Sequence, residues 1–90
     1  MNDYQDFPPL FNFKRVLHTC PEAAFLFITL WKIHLKKKSL SIKRKEIKKR
    51  FLISPTLFRN NLLALSRQDI LSFEESNDFF DIDFVSTDDV

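Results

Sequence analysis

The chain has 90 residues, a length that makes one domain and buries about 60% of the surface its unfolded form exposes. Hydrophobic residues at 44%, charged residues at 29% and a net charge of +2 describe a globular chain and not a disordered one. Glycine is absent, against an average expectation of about six, which excludes every glycine-rich phosphate cradle and the nucleotide-driven chemistry that depends on one.

Residues 1–9 are polar and end in Pro8-Pro9, which predicts an extended arm. Leu10, Phe13 and Leu17 repeat at helical spacing and predict a short packed segment, so residues 1–18 read as an arm lying on a domain at 19–85. Thr19-Cys20-Pro21-Glu22 has the Ser/Thr-x-x-Glu form of a capping box, with proline tolerated in the first turn. It predicts a helix over residues 20–37. Ala24, Phe27, Ile28, Trp31 and Leu35 make one face of that helix, while Phe25, Leu26, Leu30 and Ile33 lie largely on the other side. A helix apolar nearly all round must be buried nearly all round. Either residues 7–17 cover its second face, or a second copy does, as a homodimer through helix 20–37. Lys36, Lys37 and Lys38 end the helix with cations that suit its dipole.

Leu40-Ser41-Ile42 alternates and predicts a short edge strand. Residues 43–51 predict a second helix with Ile47 and Phe51 facing inward. Ser54 as N-cap and Pro55 at the first helical position open a third helix to about Gln68, burying Phe58, Leu62 and Leu65. Leu71 and Phe73, then Phe80, Ile82 and Phe84, alternate with polar residues around a polar turn at 74–78. That period of two predicts an antiparallel hairpin with one buried and one solvated face. Residues 86–90 read as a frayed tail.

Charge is segregated along the chain. Ten of the 14 basic residues lie between Lys32 and Arg50, where only Glu46 opposes them. From Asp69 onward there are eight acids and no base. The folded domain therefore has a positive end and a negative end, as two solvated faces or a nucleic-acid surface require.

The order of helix, short strand, helix, tight turn, helix and hairpin is that of a winged helix-turn-helix domain. Glu46-Ile47-Lys48-Lys49-Arg50-Phe51-Leu52-Ile53-Ser54 resembles the second helix and turn of that family. Pro55 to Leu71 is similar to its recognition helix and the start of its wing. Asp6-Phe7-Pro8-Pro9-Leu10-Phe11 and the following helix resemble the N-terminal winged domains of plasmid replication initiators and phage primosome proteins. The resemblance covers about residues 6–85 and implies an α+β fold with three main helices, a short edge strand and a C-terminal β-hairpin wing. Three positions depart from the pattern: Lys48 replaces a usual alanine, and Leu52 and Asp69 replace glycines in turns that want a left-handed backbone. Leucine is ill suited to that conformation, so the turn near Leu52 is expected to be longer or differently shaped.

The resemblance implies duplex-DNA binding, as a transcriptional regulator or replication accessory of a plasmid, phage or other mobile element. Thr56, Arg59 and Asn60 on helix 55–68 are the implied base readers, since arginine pairs bidentately with guanine and asparagine with adenine. Lys43, Arg44, Lys45, Lys48 and Lys49 on helix 43–51, with Arg67, are the implied phosphate contacts. The alternative is a winged-helix protein-interaction module, a small inhibitor or adaptor. It would use Leu57, Leu63 and the acidic hairpin, because exposed leucines beside a polar rim mark protein interfaces.

No enzyme, cofactor or metal is expected. His18, Cys20 and His34 lack the paired spacing of a zinc site, and Cys20 is the only cysteine. Asp81 and Asp83 read as solubilising positions on an exposed strand face. The longest apolar stretch falls short of the roughly 20 residues that span a membrane. Met1 to Asp6 is acidic, unlike a secretory leader, so a cytoplasmic location is expected.

Overall fold

A computed structural model describes Pro8, residues 10–37 and residues 40–85. The arm expected at 1–9, Pro8 aside, and the tail expected at 86–90 lie outside the described residues. Among those described, four α-helices and a three-stranded antiparallel sheet follow the order α1 (Leu10–Thr19), α2 (Ala24–Lys37), β1 (Leu40–Lys43), α3 (Ile47–Phe51), α4 (Pro55–Arg67), β2 (Leu71–Glu75) and β3 (Phe79–Phe84). Single 3-10 turns, Pro21–Ala23 and Arg44–Glu46, lead into α2 and α3. This is a small α+β domain, and none of the described helices is long and apolar enough to cross a membrane.

The sheet has the order β1-β3-β2, so the last strand lies between the first two. Its register pairs Leu40 with Ile82 and Ile42 with Phe80 on one side, and Leu71 with Phe84 and Phe73 with Ile82 on the other. Each is an apolar pair on the same face, as the period of two demands. The opposite face carries Ser41, Ser72, Glu74, Asp81 and Asp83, all exposed. There the Ser41 hydroxyl donates to Asp81 Oδ1 at 2.7 Å.

The core lies between this sheet and the helices. Val16, Ala23, Phe27, Leu30, Ile47, Phe58, Leu62, Leu65 and Phe80 are completely buried in it. Aromatic rings link the layers: Phe51 to Phe58 at 5.2 Å between centroids, Phe58 to Phe80 at 5.1 Å, and Phe80 to Phe73 at 6.3 Å. Spacings of this size suit offset or edge-on ring contacts. A second contact joins α2 to β3, where Trp31 meets Phe84 edge-on at 5.1 Å.

Four expectations are corrected. The capping box does not form. Thr19 belongs to the last turn of α1, where its hydroxyl donates to the Arg15 carbonyl at 2.7 Å. Cys20 is the N-cap of the following turn and makes no side-chain cap bond. In α1, Asn12 and Val16 face the core and Leu17 is exposed. Phe13 is half-buried and packs against the core as expected, so of the residues in the expected stripe it is Leu17 that turns outward.

Helix α2 is not covered all round. Ala24, Leu26, Phe27 and Leu30 are buried, whereas Leu35 and Phe25 are exposed, Phe25 at 73%. The sheet, α1 and α4 leave that side of its first turn uncovered. Finally, the turn after α3 is neither long nor irregular. Leu52 adopts the left-handed conformation itself, with φ at +63°, and its N–H donates to the Lys48 carbonyl at 3.0 Å.

Asp69 does the same after α4, with φ at +59°. The Asp69 N–H donates to the Ser66 carbonyl and the Ile70 N–H to the Leu65 carbonyl, the bond pair of a Schellman cap. At the start of α4, Ser54 Oγ accepts from the Leu57 N–H at 3.1 Å and Pro55 occupies the first turn, as the sequence leads one to expect.

Replacing Leu52 by glycine, which adopts positive φ without a steric penalty, should raise the unfolding free energy by about 1 kcal/mol. Ser54→Ala should lower it by about 1 kcal/mol through loss of the cap. Urea midpoints at unchanged m-value measure both. A less stable Leu52→Gly chain would contradict the left-handed turn.

Candidate functional site

Helix α3 is short because its two inward residues, Ile47 and Phe51, are one turn apart and Leu52 ends it. Everything else on it is free to be polar. Lys45, Lys48, Lys49 and Arg50 are exposed, and Arg50 lies 4.0 Å from Glu46 one turn back.

Helix α4 buries Phe58, Asn61, Leu62 and Leu65. At 3.6 residues per turn the row directly opposite is Thr56, Asn60, Leu63 and Arg67, spaced i, i+4, i+7 and i+11, and all four are exposed. Arg59 lies on the flank of this row beside the hairpin. Leu57 lies on the other flank, in a cavity of about 240 Å³ lined by Glu22, Phe25, Leu26, Phe51, Ile53 and Asn61. Leu57 and Leu63 therefore sit on different sides of α4 and do not form one patch.

The hairpin is fastened to the helices by charge. Leu71, Phe73 and Glu75 alternate on one face of β2, so Glu75 is aimed back toward the helices where the apolar core runs out. Its carboxylate meets two arginines: Oε2 accepts from Arg44 Nη2, and Oε1 lies 3.3 Å from Arg59 Nε. Arg44 does more. Its guanidinium donates to the Asn77 carbonyl at 3.1 Å and to the Ser76 carbonyl at 3.0 Å. It also lies over the Phe80 ring, 4.9 Å from the centroid, and its backbone N–H donates to the Asp78 carbonyl at 2.8 Å. The rigid five-donor fork of arginine suits this multiple contact, which a lysine could not make.

Between the end of β1 and the 3-10 turn before α3, the start of α4 and the hairpin tip runs an open groove of about 570 Å³. Lys43, Arg44, Lys45, Pro55, Asn77, Asp78 and Phe79 line it. Lys43 and Lys45 are exposed, while the Arg44 guanidinium is committed to the hairpin. The structure thus brings Lys43, Arg44 and Lys45 together with the hairpin tip, and aligns Thr56, Asn60 and Arg67 on one outward row. Lys48 and Lys49 stand exposed on α3. Of the hairpin acids, Glu75 is offset by Arg44 and Arg59, which leaves Glu74 and Asp78 exposed near the tip.

Two participants escaped the reading of the sequence. Glu75 follows Leu71 and Phe73 at steps of two, and that parity marks it as inward-facing despite its place in an acidic run. Asn61 falls one turn before Leu65 in the buried row of α4, so the helical period marks it as interior in the same way.

Elsewhere, Cys20 is buried and free, and His34 packs against Trp31 and Phe84 at 5.3 and 5.0 Å. Among the described residues no three His, Cys, Asp or Glu side chains gather as metal ligands. No protein-family model, no curated protein and no solved structure matches the chain.

Arg44 and Arg59 share one carboxylate but differ in what else they hold. Arg44→Ala should cost about 1–2 kcal/mol, because it also releases two turn carbonyls and the Phe80 ring face. Arg59→Ala should stay within about 0.5 kcal/mol, as an exposed ion pair does. Chemical denaturation of the two variants checks the order, and equal losses would contradict it.

Proposed function

We propose that the chain is a winged helix-turn-helix domain that binds duplex DNA through α4, α3 and the hairpin. The strand order β1-β3-β2, with α3 and α4 between the first two strands in sequence, is the arrangement such a domain needs. The observation that carries the reading is the juxtaposition of a polar outward row on α4 with a basic groove beside it. An exposed helix face of this width enters a major groove, where Asn60 offers the bidentate amide that reads adenine and Thr56 a hydroxyl. Lys43, Lys45, Lys48 and Lys49 supply cations to the flanking phosphates, which position the helix without reading sequence. Arg67 extends that contact from the far end of the row.

The acidic hairpin is less of an obstacle than its composition suggests. Glu75, the hairpin acid that pairs with Arg59 of α4, is met by two guanidiniums, so phosphate approaching that edge meets a cluster of net positive charge. Arg59 is held at the border of α4 and the hairpin, from which its exposed guanidinium can reach a base edge or a phosphate. As a partner, DNA also accounts for the segregation of ten cations between residues 32 and 50.

A second reading rests on Leu63, which is 36% exposed in the middle of the outward row where a polar residue is the usual choice. It makes α4 a docking surface for a protein, as an inhibitor or adaptor of the same fold. Leu63 can equally meet the methyl group of thymine in a major groove.

Fluorescence anisotropy with mixed-sequence and AT-rich duplexes at several salt concentrations tests the proposal. Binding should fall with salt at a log–log slope of about −0.9 for each phosphate neutralised. The triple change of Lys45, Lys48 and Lys49 to alanine should weaken all duplexes alike and flatten the slope. Asn60→Ala should instead erode discrimination by about 1–3 kcal/mol. No binding at low salt would overturn the DNA reading. Capture of a protein partner lost with Leu63→Asp but kept with Asn60→Ala would establish the second.

A further inference from the structure

We propose that the groove beside the hairpin tip holds one unpaired base of a DNA strand, stacked on the ring of Phe79 with the adjoining phosphates on Lys43 and Lys45. The inference rests on the DNA reading and narrows its partner to duplexes that carry a short unpaired stretch.

Phe79 carries the argument. In β3 it alternates with Phe80, so Phe80 enters the core while Phe79 belongs to the opposite side of the sheet. The other phenylalanines of the sheet, Phe73, Phe80 and Phe84, all pack in or against the core. Phe79 stands outside that cluster, is half-buried and has no ring or cation partner among the described residues. It lines the groove instead. An aromatic ring left partly open in a basic groove is the arrangement on which unpaired bases stack.

The cations stand where a strand needs them. Lys43 is the register partner of Phe79, and cross-strand neighbours of this kind lie about 4.5–5.5 Å apart at Cβ. Lys45 lines the same groove, and neither ammonium is engaged in a hydrogen bond or ion pair among the described residues. Lys45, Lys48 and Lys49 follow at i, i+3 and i+4, all exposed, so the cations continue out of the groove along α3. A row of charges that leaves the groove suits a strand with its repeated phosphates better than a free nucleotide.

The platform is fixed in advance. Arg44 holds the Ser76 and Asn77 carbonyls, and Ser76 Oγ accepts from the Phe79 N–H at 3.1 Å. A turn already ordered does not pay for ordering when it binds. At about 570 Å³ the groove falls within the 300–1,000 Å³ of sites for drug-sized ligands, the scale of one nucleotide. Asn77 and Asp78 complete its lining, and the amide oxygen or the carboxylate can accept from the exocyclic amine of cytosine or adenine. In a continuous duplex both faces of a base are covered by its neighbours, so only an unpaired base offers one to Phe79.

Fluorescence anisotropy of the full chain at low salt tests this with a blunt duplex and the same duplex extended by a short cytosine overhang. The wild-type chain should bind the overhang duplex at least about fivefold more tightly, the low end of what one stacked base contributes. Phe79→Ala should bring the two affinities together. Phe79→Leu keeps the apolar bulk without a stacking face and should do the same, whereas Phe79→Trp should keep the preference. That pair decides the matter even where the alanine chain unfolds. Lys48→Ala, outside the groove, should weaken both probes and leave their ratio. A wild-type chain that binds the two duplexes equally overturns the inference and leaves the DNA reading standing. A preference that survives in Phe79→Leu overturns it too, and moves the overhang to another surface. Binding of neither probe overturns both, and leaves the groove to an acidic peptide.

Discussion

The row of rings from Phe51 through Phe58 and Phe80 to Phe73 is the contact on which the other arrangements depend. Each ring belongs to a different element, so one continuous aromatic contact fixes α3, α4, β3 and β2 against each other. Phe58 and Phe80 are completely buried at its centre. Loss of a buried ring of that kind removes about 3–5 kcal/mol, a large share of what a 90-residue domain has. Because the rings fill the inside, every cation of α3 and every polar residue in the outer row of α4 is turned outward. Arg44 flanks this row, lying over Phe80 at its centre while gripping the hairpin turn. The basic groove is thus a consequence of packing: its walls stand where the aromatic contact holds them.

Absence of glycine gives the same block a second character. Both connections that leave α3 and α4 need a left-handed residue, and the chain supplies Leu52 and Asp69. Aspartate tolerates that conformation moderately well; leucine does so at about 1–2 kcal/mol. The strain is concentrated in the turn that sets the angle between α3 and α4, and it sits next to an uncovered apolar cavity. Stability and surface chemistry are therefore linked at one short turn, which borders both α3 and the first turn of α4.

Most of the architecture was legible from local chemistry. Ser54-Pro55 named the start of α4, the alternation of Leu40 and Ile42 named the edge strand, and the period of two after Leu71 named the hairpin. These signals are local: a cap, a proline and a strict alternation act within a few residues. What was not legible depended on competition between elements. Thr19 had the form of a capping residue, but the preceding helix uses its hydroxyl first. Phe25 had the hydrophobicity of a core residue, but no neighbouring element covers it. Leu52 had the wrong propensity for its backbone, and the tertiary block overrides that propensity. The cations of the site were visible as a charge run, whereas the anchoring of Arg44 and Arg59 required knowing that Glu75 points inward at the far end of the sheet.

The central claim is that α3, the start of α4 and the hairpin tip act as one binding surface. Amide chemical-shift mapping of the wild-type chain, titrated with duplex DNA at low salt, tests this most directly. The account predicts perturbations confined to residues 43–49, 54–60, 63, 67 and 76–79, with the outer sheet face around Asp81 and Asp83 unmoved. Shifts absent from that set, or centred on the acidic sheet face, would contradict it.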